Sequence, residues 1–446
     1  MRTLRFLLTA SVALLLAALA PSPAAAQIEA GRLTLEEAIQ TALRQNPQVT
    51  QYRELVAAAR EGIGISRSAY FPQLSFRGDF FYGTAFTSGS AGAAFQSGTA
   101  PGTARPLSLT SNPRDFYIYR FSLNQLLFDF GKTPGQVAEA TASYKATQED
   151  YAAARQQVVL DTRTAYFNYL AARRAVKVEE QNVRQNQELL KQAQGFYQVG
   201  LRARIDVTKA EANLYQAESE LIRAKNAAEV ARVDLMKALG LKSWPYREVE
   251  DVLEVSPRDL SLEDLKSQAL RQRPELLRNR AQQQRDQASL KVARAGFFPT
   301  FSSNSAYGWQ GSGYPLDDNW WLGVGVSFPL FEGGRTLHQV RQAKAQLRAT
   351  LANADALTLE VLKEVEQSYL DLKAAWEVIR SSRKAREAAE ENLRLAWGRY
   401  RAGVGNIIEV TDAQTQFARA DLEHVRALLN YRIVEARLDK AVGKTF

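Results

Sequence analysis

The chain has no cysteine among its 446 residues. That absence excludes disulfides, thiol catalysis, cysteine-ligated metals and a lipidated N-terminal cysteine. Histidine is nearly missing too: His338 and His424 stand far apart, each reading as a surface residue rather than a metal ligand. Beyond residue 26 no run of 18 apolar residues occurs, so no transmembrane helix is expected. Acidic residues are the minority, 48 against 57 basic, for a net charge of +9, or +7 without Arg2 and Arg5. The basic excess forms no block. It alternates with Glu, Asp and Gln along helical patterns, as on solvated helix faces, and no nucleic-acid partner is expected. Gly311-Ser312-Gly313 and Gly323-Val324-Gly325 do not sit between a strand and a helix as nucleotide loops do. The paired acids Glu179-Glu180 and Glu390-Glu391 belong to charged helix faces. No catalytic group, cofactor site or metal site is read.

Residues 1–26 carry Arg2 and Arg5, an apolar core from Phe6 to Ala20 and a small-residue cleavage site at Ala24-Ala25-Ala26. This is the pattern of a secretory signal peptide, with the mature chain starting at Gln27. Between Gly131 and Gly200 the only proline is Pro134, where a first helical turn tolerates it. Val137, Tyr144, Tyr151, Val158 and Ala165 recur every seven residues, a pattern for helix-on-helix packing. About 65 helical residues at ~1.5 Å each make a rod of roughly 100 Å. After Val199-Gly200-Leu201 the pattern resumes from Ile205 to Leu239, giving a long antiparallel helical hairpin.

The sequence repeats itself. Leu33-Thr34-Leu35-Glu36-Glu37 returns as Leu260-Ser261-Leu262-Glu263-Asp264, and Tyr70-Phe71-Pro72 as Phe297-Phe298-Pro299, both at an offset of 227. The offset then falls to 203. Leu127-Phe128-Asp129 matches Leu330-Phe331-Glu332, and Tyr166-Phe167 matches Tyr369-Leu370. Tyr197 to Gly200 matches Tyr400 to Gly403, and Ile205 to Thr208 matches Ile408 to Thr411. Each half begins with a capping box, Thr34 with Glu37 or Ser261 with Asp264. One helix is expected to run through Pro47 or Pro274, until Pro72 or Pro299 stops it.

The period then changes from 3.6 to 2. Tyr117, Tyr119, Phe121 and Leu123 alternate with Ile118, Arg120, Ser122 and Asn124. Trp320, Leu322, Val324, Val326 and Phe328 alternate with Trp321, Gly323, Gly325 and Ser327. The partner strands are Gln73 to Gly83 and Thr300 to Gln310. Apolar on one side and small or polar on the other is the pattern of a membrane β-barrel strand, and aromatics gather near the strand ends. The connection from Thr84 to Asn112 is long and rich in Gly, Ser, Ala and Thr, as an external loop would be. Glycine leads each hairpin into a long helix, at Gly131 and at Gly333-Gly334. The second helical hairpin is expected over about 336–442, and residues 241–259 form an inter-repeat linker. Four strands cannot close a barrel, for which about eight is the practical minimum, so the chain is expected to oligomerise.

The duplicated plan of helix, β-hairpin and long helical hairpin resembles the outer-membrane efflux protein family, the TolC-like outer-membrane factors. The Leu33-Thr34-Leu35-Glu36-Glu37-Ala38 start and the turn motifs around Gly200 and Gly403 carry the likeness over essentially the whole mature chain. The resemblance implies a mainly α fold with a β-barrel portion. Three chains would form a 12-stranded outer-membrane β-barrel continuous with a 12-helix periplasmic α-barrel. Its domains would be a first repeat at 27–240, the linker at 241–259 and a second repeat at 260–446. It implies no catalysis and no cofactor. The implied partners are two further copies, outer-membrane lipid, a periplasmic adaptor (membrane fusion) protein and an inner-membrane transporter.

By the same resemblance, the periplasmic turns close the tunnel. Glu409 and Asp412 fall where the family places its acidic constriction. Gly200, Leu201, Arg202, Gly403, Val404 and Gly405 form the tip turns that meet the adaptor. Asp206 and Tyr400 match an inter-hairpin lock. The sequence departs from the family at Gly405, where some members carry arginine, while Arg202 and Arg204 lie on the other turn. Two other readings stay open: a type I protein-secretion channel of the same architecture, and a non-conducting periplasmic coiled-coil scaffold.

Overall fold

A computed structural model describes residues 31–83 and 114–444. The signal peptide, the 84–112 connection and Phe446 lie outside the described residues. The chain is mainly helical, in the order β1 (Arg32–Leu33), α1 (Leu35–Gln45), α2 (Pro47–Arg67), β2 (Gln73–Gly83), β3 (Arg114–Phe128), α3 (Lys132–Gln198), α4 (Arg204–Leu239) and β4 (Glu248–Val249). The second half follows as α5 (Leu262–Gln272), α6 (Pro274–Ala295), β5 (Thr300–Gly311), β6 (Asp317–Ser327), α7 (Arg335–Arg401) and α8 (Ile407–Ala441). Two compact units each draw on both sequence repeats: one holds Asp161–Ser256 and Ile379–Arg432, the other Asn46–Leu160 and Pro257–Val378.

In the second of these units the strands form one antiparallel sheet in the order β2-β3-β5-β6. Its register sorts the side chains by face. Phe76 opposes Phe121, Phe121 opposes Tyr307 and Tyr307 opposes Trp320, so one aromatic row crosses all four strands. Leu74, Leu123, Ser305 and Leu322 make the next row. Leu74, Phe76, Phe80, Tyr82, Trp320, Leu322, Val324 and Val326 are all exposed. The other face carries Ser75, Arg77, Ser122, Arg120, Asn304 and Gly323 at successive register positions. The alternation breaks near residue 83, where Phe81, Phe116 and Ile118 form a small buried apolar cluster on the polar side.

The passage from strand to long helix is built the same way in both halves. Asp129 Oδ2 accepts from the Thr133 backbone N at 2.6 Å, and Glu332 Oε2 accepts from the Thr336 hydroxyl at 2.7 Å. Each carboxylate sits at a helix N-terminus, where orphan donors and the dipole favour it. The turn itself needs two left-handed residues in succession. The second half uses Gly333 (φ 60°) and Gly334 (φ 84°); the first uses Phe130 (φ 52°) and Gly131 (φ 90°). Phe130 holds this conformation with its ring stacked on Phe298 at 5.2 Å and edge-on to Phe128 at 4.7 Å.

Two expectations change. The single helix expected through each proline is divided in two, with Pro47 and Pro274 as first residues of α2 and α6. A proline ring drives the preceding residue out of the helical region, and Asn46 (ψ 124°) and Arg273 (ψ 122°) are extended accordingly. The divisions are stabilised differently. The Asn46 side chain accepts from the Gln48 backbone N at 2.9 Å. Arg273, buried, reaches Glu275 at 3.1 Å and Glu364 at 2.5 Å. Of the seven-residue series on α3, only Val158 is buried; the rest are half-buried. The buried positions from Ala142 to Ala171 are Ala142, Ala146, Ala154, Gln156, Val158, Val159, Thr162, Arg163, Tyr166, Phe167, Leu170 and Ala171, so the buried face is broader than a heptad seam and runs at the three-and-four spacing of a helix packed on several neighbours.

In the first unit β1 pairs in parallel with β4 from the 241–259 linker. The buried Tyr166 hydroxyl bridges the carbonyls of Leu33 at 3.1 Å and Glu250 at 2.8 Å. Arg174 forms ion pairs with Asp251 at 2.8 Å and Glu254 at 3.1 Å. The linker is thus tied to α3 at three points.

Candidate functional site

The two helix-turn tips lie in the first unit. At each, one left-handed glycine ends the incoming helix: Gly200 at φ 75°, Gly403 at φ 76°. The hydrogen bonds match pair for pair. Gly200 N donates to Tyr197 O at 3.0 Å and Leu201 N to Phe196 O at 2.9 Å. Gly403 N donates to Tyr400 O at 3.0 Å and Val404 N to Arg399 O at 3.1 Å. This pattern satisfies the last carbonyls of a helix and favours glycine for its positive φ. Leu201 and Val404 at the crests are exposed.

Beyond the glycines the tips diverge. The residue two past Gly200 is Arg202, and two past Gly403 is Gly405. A Cβ on Gly405 would lie 3.0 Å from Tyr400 N and 3.0 Å from Arg399 Cβ, so a side chain there would force the second turn to shift. Arg202 serves both turns instead. Its Nη2 donates to Gly405 O at 2.5 Å and to Gly403 O at 3.3 Å, and its guanidinium lies 5.8 Å from the centre of the Tyr400 ring. An arginine of the first tip therefore clamps the main chain of the second.

Tyr400 is wholly buried, edge-on to Phe196 at 5.6 Å, in an apolar core with Leu189, Ile407 and Phe417. Its hydroxyl has no hydrogen-bond partner among the described residues. Burial pushes the hydroxyl's pKa up, the negative charge of Asp206 adds to this, and Arg202 opposes it. Asp206 thus lies within electrostatic reach of Tyr400, and the two share no hydrogen bond among the described residues.

The acids of the second tip are unequal. Asn406 Oδ1 accepts from Glu409 N at 2.9 Å, capping α8, and the Glu409 carboxylate accepts from Arg399 Nε at 3.1 Å. Both side chains of that pair are substantially exposed, so its contribution to stability is about 0–1 kcal/mol. Asp412, one turn further on, is exposed and has no ion pair among the described residues. Glu409 and Asp412 lie in the first turns of α8, just past the Gly403 turn, and Arg202 joins that turn to the Gly200 turn. Arg399 and Asn406, the partners of Glu409, carry no signal in the sequence beyond their spacing from it.

A family model described as outer membrane efflux protein matches residues 38–241 and 265–444. The outer membrane efflux protein BepC of Brucella suis is 25% identical over 416 residues, covering 90% of this chain and 85% of its own length. The outer membrane protein TolC of Escherichia coli is 24% identical over 426 residues, covering 92% and 82%. A solved membrane protein from Pseudomonas aeruginosa shares the fold, with a TM-score of 0.76 at 21% identity over 92% of this chain and 90% of that one.

Proposed function

The chain belongs to the outer membrane efflux protein family, and from that premise we propose that three copies form one continuous passive duct through the outer membrane and across the periplasm. It serves an efflux or type I secretion system, with a periplasmic adaptor and an inner-membrane transporter as its partners. The observation that carries this reading is the four-stranded sheet with one apolar face and two open edges. In lipid every backbone polar group needs a partner, so open edges are not tolerated there. With four alternating strands, the β2 and β6 edges run in opposite directions. A β6 edge therefore meets the β2 edge of the next copy antiparallel, and a ring of copies closes without a mismatched seam. Three copies give twelve strands, with the aromatic rows facing lipid and Ser75, Arg120 and Asn304 facing the lumen.

The repeats at 27–240 and 260–446 each supply one hairpin and two long helices to this ring, and the linker at 241–259 girdles it. At the periplasmic end the turns at Gly200, Leu201, Arg202, Gly403, Val404 and Gly405 form the gate and the adaptor's contact. Asp206 and Tyr400 hold neighbouring hairpins in the closed state, beside the Arg202 clamp. Glu409 and Asp412 ring the constriction, where clustered carboxylates attract cations. Because Arg399 neutralises part of the charge at Glu409, Asp412 is the stronger determinant.

Reconstitution of the detergent-purified protein into planar bilayers, with mass and conductance measured together, tests the reading. A trimer with cation-selective channels is expected, and Asp412→Ala lowers the selectivity more than Glu409→Ala. A non-conducting monomer would overturn the duct; unchanged selectivity in the double variant would remove both acids from the constriction.

A further inference from the structure

From Ile407 to Leu428 every buried position of α8 is apolar except one. Ile407, Val410, Ala413 and Phe417 pack into the tip core, and Ala418, Val425 and Leu428 continue the stripe beyond it. Gln414 interrupts the stripe, one turn from Val410 and from Phe417, and is 2% exposed. Its amide oxygen and nitrogen are both shut off from solvent, and neither has a hydrogen-bond partner among the described residues. Buried amides are ordinarily bonded, and an orphaned one works against the packing that encloses it. Leucine, of similar size, would fill the position without that penalty.

Beside this packing a cleft of about 320 Å³ runs between α3, α4 and α8. Gln414 borders it from α8 and Asn213 from α4. The Asn213 side chain is half-buried and, like that of Gln414, makes no hydrogen bond among the described residues. The other amides of the lining are engaged. Asn182 donates to Glu179, Asn186 to Asn182, and Gln216 to Glu220.

We infer that Gln414 and Asn213 are two halves of a hydrogen-bond pair left unmade in the observed arrangement, and that a shift of α8 toward α4 makes it. Two amides are complementary, since each donates through nitrogen and accepts through oxygen. Making the pair relieves the orphan, so the observed packing has a second arrangement close to it in free energy. Packed helices move between discrete arrangements of this kind rather than deforming continuously. α4 leaves the first tip and α8 leaves the second. The amide pair would therefore join the two hairpins that Arg202 joins at their turns. In the observed arrangement the clamp is made and the pair is open; the second arrangement exchanges one for the other. The inference concerns the packing of one chain, and it becomes an opening step of the duct only through the reading given above.

Hydrogen exchange of the detergent-purified full-length protein, read by mass spectrometry over residues 405–420, tests it. Gln414→Leu is expected to raise the thermal midpoint and to slow exchange there by about tenfold or more, because it removes the orphan from the closed packing. Gln414→Met is expected to do the same. Asn213→Ala is expected to slow exchange over 405–420 when Gln414 is present and to leave it unchanged in the Gln414→Leu background. The double-mutant cycle separates this coupling from the gain in helix propensity that alanine brings. Circular dichroism verifies that each variant is folded. A lower thermal midpoint in both Gln414 variants would show the amide to be bonded already, and would overturn the proposal. Asn213→Ala acting alike in both backgrounds would overturn it too. A protein that shows the expected coupling but forms no channel would sink the duct and leave the amide pair standing.

Discussion

The two tips share one backbone and differ in nearly every side chain that matters. The first has a bulky cation and an uncapped outgoing helix: Ala203 makes no side-chain cap bond. The second has a bare turn and an asparagine cap. The difference teaches that the duplicated turns have become donor and acceptor of a single contact, through Arg202 and the carbonyls of Gly403 and Gly405. Elsewhere the halves show the same division. The strand-to-helix turn is met by glycine in one and by a strained phenylalanine in the other; the helix division rests on a neutral cap in one and on a buried arginine paired with two partly exposed carboxylates in the other.

The most disruptive way to erase the tip difference is Gly405→Arg. Its Cβ meets backbone at 3.0 Å, an overpacking that costs about 1–3 kcal/mol, and it evicts Arg202 from its acceptors. A lower thermal midpoint and a large rise in single-channel conductance are expected. Arg202→Gln removes the clamp without crowding. The loss of charge-assisted bonds, about 1.5–3 kcal/mol in total, should raise conductance while the secondary structure by circular dichroism stays unchanged.

Acid should separate the two helix divisions. Burial pulls the Glu275 carboxyl up, but the hydrogen bond and charge of Arg273 outweigh it and hold it below the ordinary range. Its folded value being depressed, Glu275 contributes stability above the unfolded value of about 4.3, and loses it as pH falls further through the folded value. Hydrogen exchange near Arg273 should therefore quicken below that pH, while exchange near Asn46 should not. Equal response at both would show that the pair does not set the difference. The smallest effect is expected of Phe130→Gly. Relief of about 1–2 kcal/mol of left-handed strain is offset by the loss of ring contacts worth about 0.5–1.5 kcal/mol and of buried area, so the thermal midpoint should barely move. Gly333→Phe has no such compensation and should be destabilising.

Much of this was legible in the sequence because it depends on period and spacing. The strand Gln73–Gly83, the turns at Gly200 and Gly403 and the hairpin arms follow from alternation, glycine and repeat offset. What escaped depends on partners far apart in the chain. Nothing local says that Arg202 turns toward residues about two hundred positions away. The burial stripe of α3 escaped for a related reason: it takes in large and small residues alike, Ala142, Ala146 and Ala154 with Tyr166, Phe167 and Leu170, according to neighbours distant in the chain.

The Arg202 clamp reads oxygen atoms that every amino acid carries. Its target therefore puts no demand on chemical identity, only on the path of the chain, which Gly403 and Gly405 secure. Val404 between them is free to vary, and so is the crest at Leu201. A surface built this way can change its outward face to suit a new neighbour while its own closure is inherited intact.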